Sequence, residues 1–206
     1  MSELQTFFDL TMCVGWMTTY TLVLISTKVY KYPAISPYAQ AAILPVEIGV
    51  FIARIMWKNF DFIHFCYLFW CLLEIAIIVE IIRLKFVKNL KLYFVFIGVL
   101  SAVVVYLVIV HNMMLFLTYF LTLCGVLIWF IFILKNKDYP FKPLNLAAFL
   151  SKFVGDAVAV PVYLGDGKII EDIVCVALPS LDFMFIIVYF LKKMRAIDRH
   201  LDSQKD

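Results

Sequence analysis

The stretch from Tyr38 to Trp57, YAQAAILPVEIGVFIARIMW, decides how the rest of the chain is interpreted. It is apolar and 20 residues long, which is enough to cross a bilayer as a helix. Glu47 lies near its middle, and Pro45 precedes that carboxyl by two residues. A charged group at such depth costs about 2.5–3.5 kcal/mol on insertion scales, so an acid there usually has a function. Glu47 is therefore a candidate functional residue. The alternative is a protonated carboxyl that only hydrogen-bonds a neighbouring helix.

The composition of the chain indicates an integral membrane protein. Of its 206 residues 65% are hydrophobic and 16% charged, and the mean hydropathy is +0.97. Soluble domains are only about 45–50% apolar. We expect one all-α transmembrane domain over residues 1–206 with a basic tail at 192–206, surrounded by the lipid bilayer and not bound to nucleic acid.

Seven apolar segments are long enough to span a membrane. Each must be helical, because lipid offers no hydrogen-bond partner to an open backbone. The predicted spans are 6–27, 38–57, 62–82, 92–110, 113–134, 146–164 and 173–191.

The basic residues between these spans predict the orientation. Short cytoplasmic loops carry an excess of Lys and Arg. If the spans alternate in direction, one face carries only Lys58 and Lys168, and the other carries Lys28, Lys31, Arg83, Lys85, Lys88, Lys91, Lys135, Lys137, Lys142, Lys192, Lys193, Arg195 and Arg199. We therefore expect the N-terminus outside and the C-terminus in the cytoplasm, in a multi-pass protein of a bacterial plasma membrane or the endoplasmic reticulum.

Four carboxyl groups lie well inside the predicted spans, at similar depth: Glu47, Glu74, Asp156 and Asp182. The basic residues near them are Arg54 and Lys152, so acids outnumber bases in the middle of the membrane. We expect some of these acids to be uncharged, because unpaired charge in hydrocarbon is costly. A neutral buried carboxylic acid is what a proton donor needs.

Aromatic residues make up 17% of the chain. We expect interfacial belts, which such residues form, to contain most of Trp57, Trp70, Trp129, Tyr30 and Tyr163. Trp16 and Tyr20 lie deeper and one helical turn apart, and aromatic faces stabilise a cation by roughly 0.5–2 kcal/mol. Acids and aromatics in a dry pocket suit carbocation chemistry, and they suit a proton-coupled transporter equally well.

The sequence offers no ligand pattern for a metal or another cofactor, and we expect none. The five cysteines include no CxxC pair and have no histidine at metal-binding spacing. Runs such as DDxxD, which hold magnesium and diphosphate, are also missing from the sequence.

Several motifs resemble the integral-membrane terpene cyclases of fungal meroterpenoid and indole-diterpene pathways. The similar features are Gly15-Trp16, Tyr20, Lys31-Tyr32, Pro45, Glu47, the run Leu150 to Gly155, and Asp182 before a basic tail. The resemblance implies a metal-free seven-helix enzyme in which Glu47 and Asp182 are the catalytic acids. It also implies a lipophilic prenyl or terpenoid substrate.

The chain departs from that family in two ways. The family carries an Asn and a Trp shortly before the helix-2 acid, where this chain has the run 43–46, ILPV. Asp156 and Glu74 are acids beyond the two that the resemblance implies, and we regard them as candidate supporting acids. Three hypotheses stay open: proton-initiated cyclisation, with Trp16 and Tyr20 stabilising cations; a proton-coupled small-solute transporter of seven-helix type; and a structural protein whose acids only hold helices together.

Overall fold

The computed structural model describes residues 3–58, 62–111, 113–136, 139, 141–163 and 169–202. Over these residues the chain is all-helical and has seven helices long and apolar enough to cross a membrane, as the sequence predicts. They are α1 (Glu3–Tyr30), α2 (Pro37–Met56), α3 (Phe62–Arg83), α4 (Leu90–His111), α5 (Met114–Lys135), α6 (Pro143–Tyr163) and α7 (Ile169–Asp202).

Six of the helices close into a ring. Going round it, α1 packs on α3, α3 on α2, α2 on α5, α5 on α7, α7 on α6, and α6 again on α1. The remaining helix, α4, packs on the outside of α2 and α5. In this order α2 and α6 lie across the ring from each other. The ring therefore sets two of the predicted acids, Glu47 on α2 and Asp156 on α6, on facing walls.

The helix that carries Glu47 is the most enclosed of the seven. About 72% of the residues in its most apolar stretch are buried, against 17% in the corresponding stretch of α4. Three neighbours, α3, α4 and α5, cover α2, which explains why even Gln40 and Arg54 are buried. Pro45 cannot donate to the Ala41 carbonyl, so the helix lacks one backbone hydrogen bond just before Glu47.

The contact between α1 and α6 depends on two glycines. A Cβ added at Gly15 would lie 2.8 Å from the Gly155 Cα and 3.1 Å from the Ser151 carbonyl oxygen. The Ser151 hydroxyl donates to the Gly15 carbonyl at 3.0 Å. Small residues of this kind let membrane helices approach closely. This approach places Trp16 of α1 directly beside Lys152 of α6.

The ends of α1, α3, α5 and α7 meet at one end of the bundle, which we call the basic end. There Glu80 binds Arg83 at 2.9 Å and lies 3.8 Å from Lys28. At the same end the Lys192 ammonium donates to the Ile133 carbonyl at 2.8 Å. Among the basic residues counted for orientation, Lys137 and Lys168 lie outside the described residues, as do the side chains of Arg195 and Arg199.

Two of the tryptophans expected in interfacial belts are in the core. Trp70 is 4% exposed and Trp129 2% exposed, whereas Trp57 is exposed at a helix end. The Trp129 indole donates to the Ala34 carbonyl at 2.9 Å, and the Tyr139 hydroxyl donates to the same oxygen at 2.7 Å. Both indole rings fill space between helices, so that part of the prediction was wrong.

Candidate functional site

A cavity of about 70 Å³ lies inside the ring. All six ring helices contribute to its wall, and α4 does not. Its polar and aromatic lining includes Trp16, Glu47, Tyr67, Trp70, Tyr119 and Asp156. Two hydroxyl side chains of α5, Thr118 and Thr122, complete the polar part of the wall. The cavity is thus a small space with one carboxyl group on α2 and another on α6.

The α2 side of the cavity belongs to an acid cluster made of Tyr20, Gln40, Glu47 and Glu74. The Tyr20 hydroxyl donates to Glu47 Oε1 at 3.3 Å. Glu74 interacts with Glu47, Tyr20 and Gln40, and its side chain is fully buried. None of these neighbours is basic, and burying two uncompensated carboxylates together is costly, so we expect the pair to share at least one proton. This arrangement can store a transferable proton beside the cavity.

Hydrogen bonding in the acid cluster is incomplete. Among the described residues, Glu47 Oε2, both oxygens of Glu74 and both amide atoms of Gln40 have no partner of ordinary hydrogen-bond geometry. The Gln40 amide lies close enough to Glu74 to interact with it without reaching that geometry. Buried polar groups are normally satisfied, and a chemical role is one of the reasons for an exception.

The α6 side of the cavity belongs to an ionic cluster made of Lys152, Asp156 and Asp182. The Lys152 ammonium lies 2.5 Å from Asp156 Oδ2 and 2.8 Å from Asp182 Oδ1. Lys152 and Asp182 are each 1% exposed. A buried lysine stays charged only when paired and hydrogen-bonded, and this one has two carboxyl partners. With both carboxylates charged the cluster carries a net charge of −1.

Trp16 and Tyr20 of α1 connect the two clusters. Their ring centroids are 5.5 Å apart, one helical turn along the helix. The Lys152 ammonium lies 4.6 Å from the centre of the Trp16 ring, and the Tyr20 hydroxyl binds Glu47. Trp16 therefore lines the cavity between the ionic and the acid cluster, while Tyr20 lies behind Glu47 and outside the cavity lining.

The structure distributes the predicted acids over two clusters. Glu47 and Glu74 are in the acid cluster, and Asp156 and Asp182 are in the ionic cluster. Glu47 and Asp156 line the cavity, whereas Asp182 contacts Lys152 behind it.

Two residues of the site were not identified as functional from the sequence. The sequence shows Lys152 as a base near the acids, and its spacing of four residues from Asp156 is the available signal, because it is typical of a pair on one helix face. Gln40 is only the third residue of the predicted span 38–57, where an amide is not unusual. Its burial follows from the covering of α2 by three helices, for which the sequence contains no signal.

We found no match to this chain among protein-family models, curated proteins or solved structures.

Proposed function

We propose that this protein is a membrane terpene cyclase, which cyclises a linear prenyl or terpenoid chain by proton-initiated, metal-free chemistry. The observation that carries the proposal is one cavity with Glu47 of the acid cluster on one wall and Asp156 of the ionic cluster on the facing wall. The resemblance of Gly15-Trp16, Glu47 and Asp182 to the fungal enzymes supports it further.

In the proposed reaction Glu47 donates its proton to a terminal double bond or epoxide oxygen of the substrate. The next double bond of the chain attacks the resulting carbocation, which forms a ring bond and moves the positive charge along the chain. The last cation loses a neighbouring proton to Asp156, and a new double bond forms. One proton enters and one leaves, so the product is an isomer of the substrate.

The aromatic wall of the cavity suits the cationic stage. Trp16, Tyr67, Trp70 and Tyr119 line it, and aromatic faces stabilise a cation by about 2 kcal/mol or more where water is excluded. Lys152 and Asp182 hold Asp156 in place, so that a carboxylate stays available as the final base. Asp182, which the resemblance makes a second acid, acts in this scheme through Lys152.

The cavity is small for such a substrate. Ligand sites in proteins typically measure about 300–1,000 Å³, so a prenyl chain entering about 70 Å³ displaces lining side chains or separates ring helices. Only the reacting end of the chain then lies between Glu47 and Asp156.

The test is product formation from linear prenyl compounds, with and without a terminal epoxide, by purified protein in heavy water with metals chelated. We expect a cyclic isomer and, from the alkene, one deuterium at the protonated carbon. Glu47→Gln should lower kcat by about 10²–10⁴-fold, the usual contribution of a positioned acid. Substrate binding should change little, because the acid acts in the transition state.

Glu80→Gln is the matched control, since it removes a carboxyl of the basic end that is remote from the cavity, and it should cyclise like the parent. Full cyclisation by well-folded Glu47→Gln would contradict the assignment of Glu47 as the donor.

A proton-coupled small-solute transporter is the second candidate. The small volume of the cavity and the hydroxyls of Thr118 and Thr122 favour it. In sealed vesicles a transporter accumulates solute when a proton gradient is applied. Glu47→Gln should then lose gradient-driven uptake and keep exchange. Gradient-driven uptake without any cyclic product would replace the cyclase proposal.

We propose further that the N-terminus lies outside and the C-terminus in the cytoplasm. The meeting of the ends of α1, α3, α5 and α7 at the basic end supports this orientation, because short cytoplasmic loops are rich in Lys and Arg. A reporter fused after residue 206 should be cytoplasmic. A tag accessible from outside intact cells would overturn the orientation.

A further inference from the structure

We propose that Tyr20 and Glu74 form a proton path that reprotonates Glu47 from the basic end of the bundle. The inference rests on the proposed function of Glu47 as a proton donor. It assigns to Glu74 a role that does not involve the substrate.

The proposed reaction requires such a path because it moves one proton in one direction. After a turnover Glu47 is a carboxylate and Asp156 holds the proton taken from the substrate. A second turnover needs a proton delivered to Glu47 and one released from Asp156. A product still in the cavity would separate these two groups, so the route to Glu47 that stays open lies behind it.

Tyr20 has the position and chemistry for this transfer. Its hydroxyl donates to Glu47 Oε1 at 3.3 Å, and it also interacts with Glu74. A hydroxyl both donates and accepts, so it can give its proton to Glu47 and take one from Glu74. Tyr20 is 1% exposed and does not line the cavity, so substrate does not block it.

Gln40 indicates the direction from which the proton arrives. It lies one turn into α2 from Pro37, on the side of the basic end, and its fully buried amide faces Glu74 without a hydrogen-bond partner of ordinary geometry. This unpartnered amide extends the polar path from Glu74 toward the basic end.

Other titratable groups also face Glu74. They are Cys71 on the same helix and Tyr93 on α4. The Tyr93 hydroxyl donates at 2.9 Å to the Pro37 carbonyl, so its proton is held by a backbone acceptor and not by Glu74. Tyr93 is a buried phenol close to Glu74 but outside the proposed route, which makes it a suitable control.

The test is the rate of hydrogen–deuterium exchange of the Glu47 carboxylic acid, followed by its infrared carbonyl band in lipid nanodiscs without substrate. The band is identified as the one that Glu47→Gln removes. We expect Tyr20→Phe and Glu74→Gln to slow its exchange by about 10²-fold, the lower end of what a positioned proton-transfer group contributes. Tyr93→Phe should exchange as fast as the parent. Glu74→Asp, which keeps a carboxyl, should restore much of the rate.

Unchanged exchange in both Tyr20→Phe and Glu74→Gln would overturn the path. So would equal slowing in Tyr93→Phe, which would point to general tightening of the bundle. Because the readout needs no substrate, it is independent of the proposed function. If exchange is slowed in Tyr20→Phe and Glu74→Gln but the parent forms no cyclic product, the proton path stands and the cyclase proposal is rejected. If exchange is unchanged in both variants but the parent forms cyclic product, the cyclase proposal stands and the path is rejected.

Discussion

Replacement of Lys152 by methionine tests whether the ionic cluster is charged. Lys152 is 1% exposed and lies 2.5 Å from Asp156 and 2.8 Å from Asp182. Methionine keeps an unbranched chain that can still pack against Trp16. Removing one partner of a buried ion pair costs about 3–5 kcal/mol, because a charge is left uncompensated. We expect Lys152→Met to lower the free energy of unfolding by that amount.

Two companion variants separate charge from packing. Asp156→Asn leaves Lys152 paired with Asp182 and takes the cluster from a net charge of −1 to 0. We therefore expect the free energy of unfolding to fall by only about 0.5–1.5 kcal/mol, the contribution of one hydrogen bond. The triple variant Lys152→Met, Asp156→Asn, Asp182→Asn is neutral throughout. It should recover most of what Lys152→Met loses, since neutral groups of similar volume often replace buried ion pairs at little cost.

The measurement is reversible unfolding in mixed micelles, followed by tryptophan fluorescence at neutral and at acid pH. Acid should reduce the deficit of Lys152→Met, because the two unpaired carboxylates can then take up protons. The reasoning would be refuted if Lys152→Met were as stable as the parent at neutral pH. It would also be refuted if the triple variant were less stable than Lys152→Met alone.

Three further predictions concern stability in the same assay. Gly15→Ala should lower the free energy of unfolding by about 1–3 kcal/mol, because the added carbon lies 2.8 Å from the Gly155 backbone. The control is Gly98→Ala on α4, where an added carbon meets nothing within 4 Å, and it should be neutral or stabilising. Lys85→Gly should raise the free energy of unfolding by up to about 1 kcal/mol, because Lys85 has a φ of 61°, which strains a residue with a Cβ. A lower stability of this variant would contradict the argument. Burial raises the pKa of Tyr139, which lies in the loop between α5 and α6. The parent should therefore lose stability as the pH rises above about 10, where only the unfolded state ionises, and Tyr139→Phe should lose less over that range; equal losses would reject the argument.

The sequence by itself determined the class of fold and the number of helices. Apolar segments of sufficient length must be helical in lipid, and this constraint acts on each segment separately. The candidate acids Glu47, Glu74, Asp156 and Asp182 could be found in the same way, because a carboxyl inside an apolar span stands out against its neighbours. The length of a span and the position of a carboxyl within it are local properties, so they can be predicted without knowing how the helices pack.

The tertiary structure decided which acid meets which partner. Helical periodicity puts Lys152 and Asp156 on one face, but it does not say that α7 brings Asp182 to the same ammonium group. It also does not say that Glu74 of α3 joins Glu47 of α2 around Tyr20. These groupings follow from the ring order of the helices, which depends on non-local contacts such as the close approach of Gly15 to Gly155. The burial of Trp70 and Trp129 has the same cause, because side chains of neighbouring helices in the ring cover both indole rings.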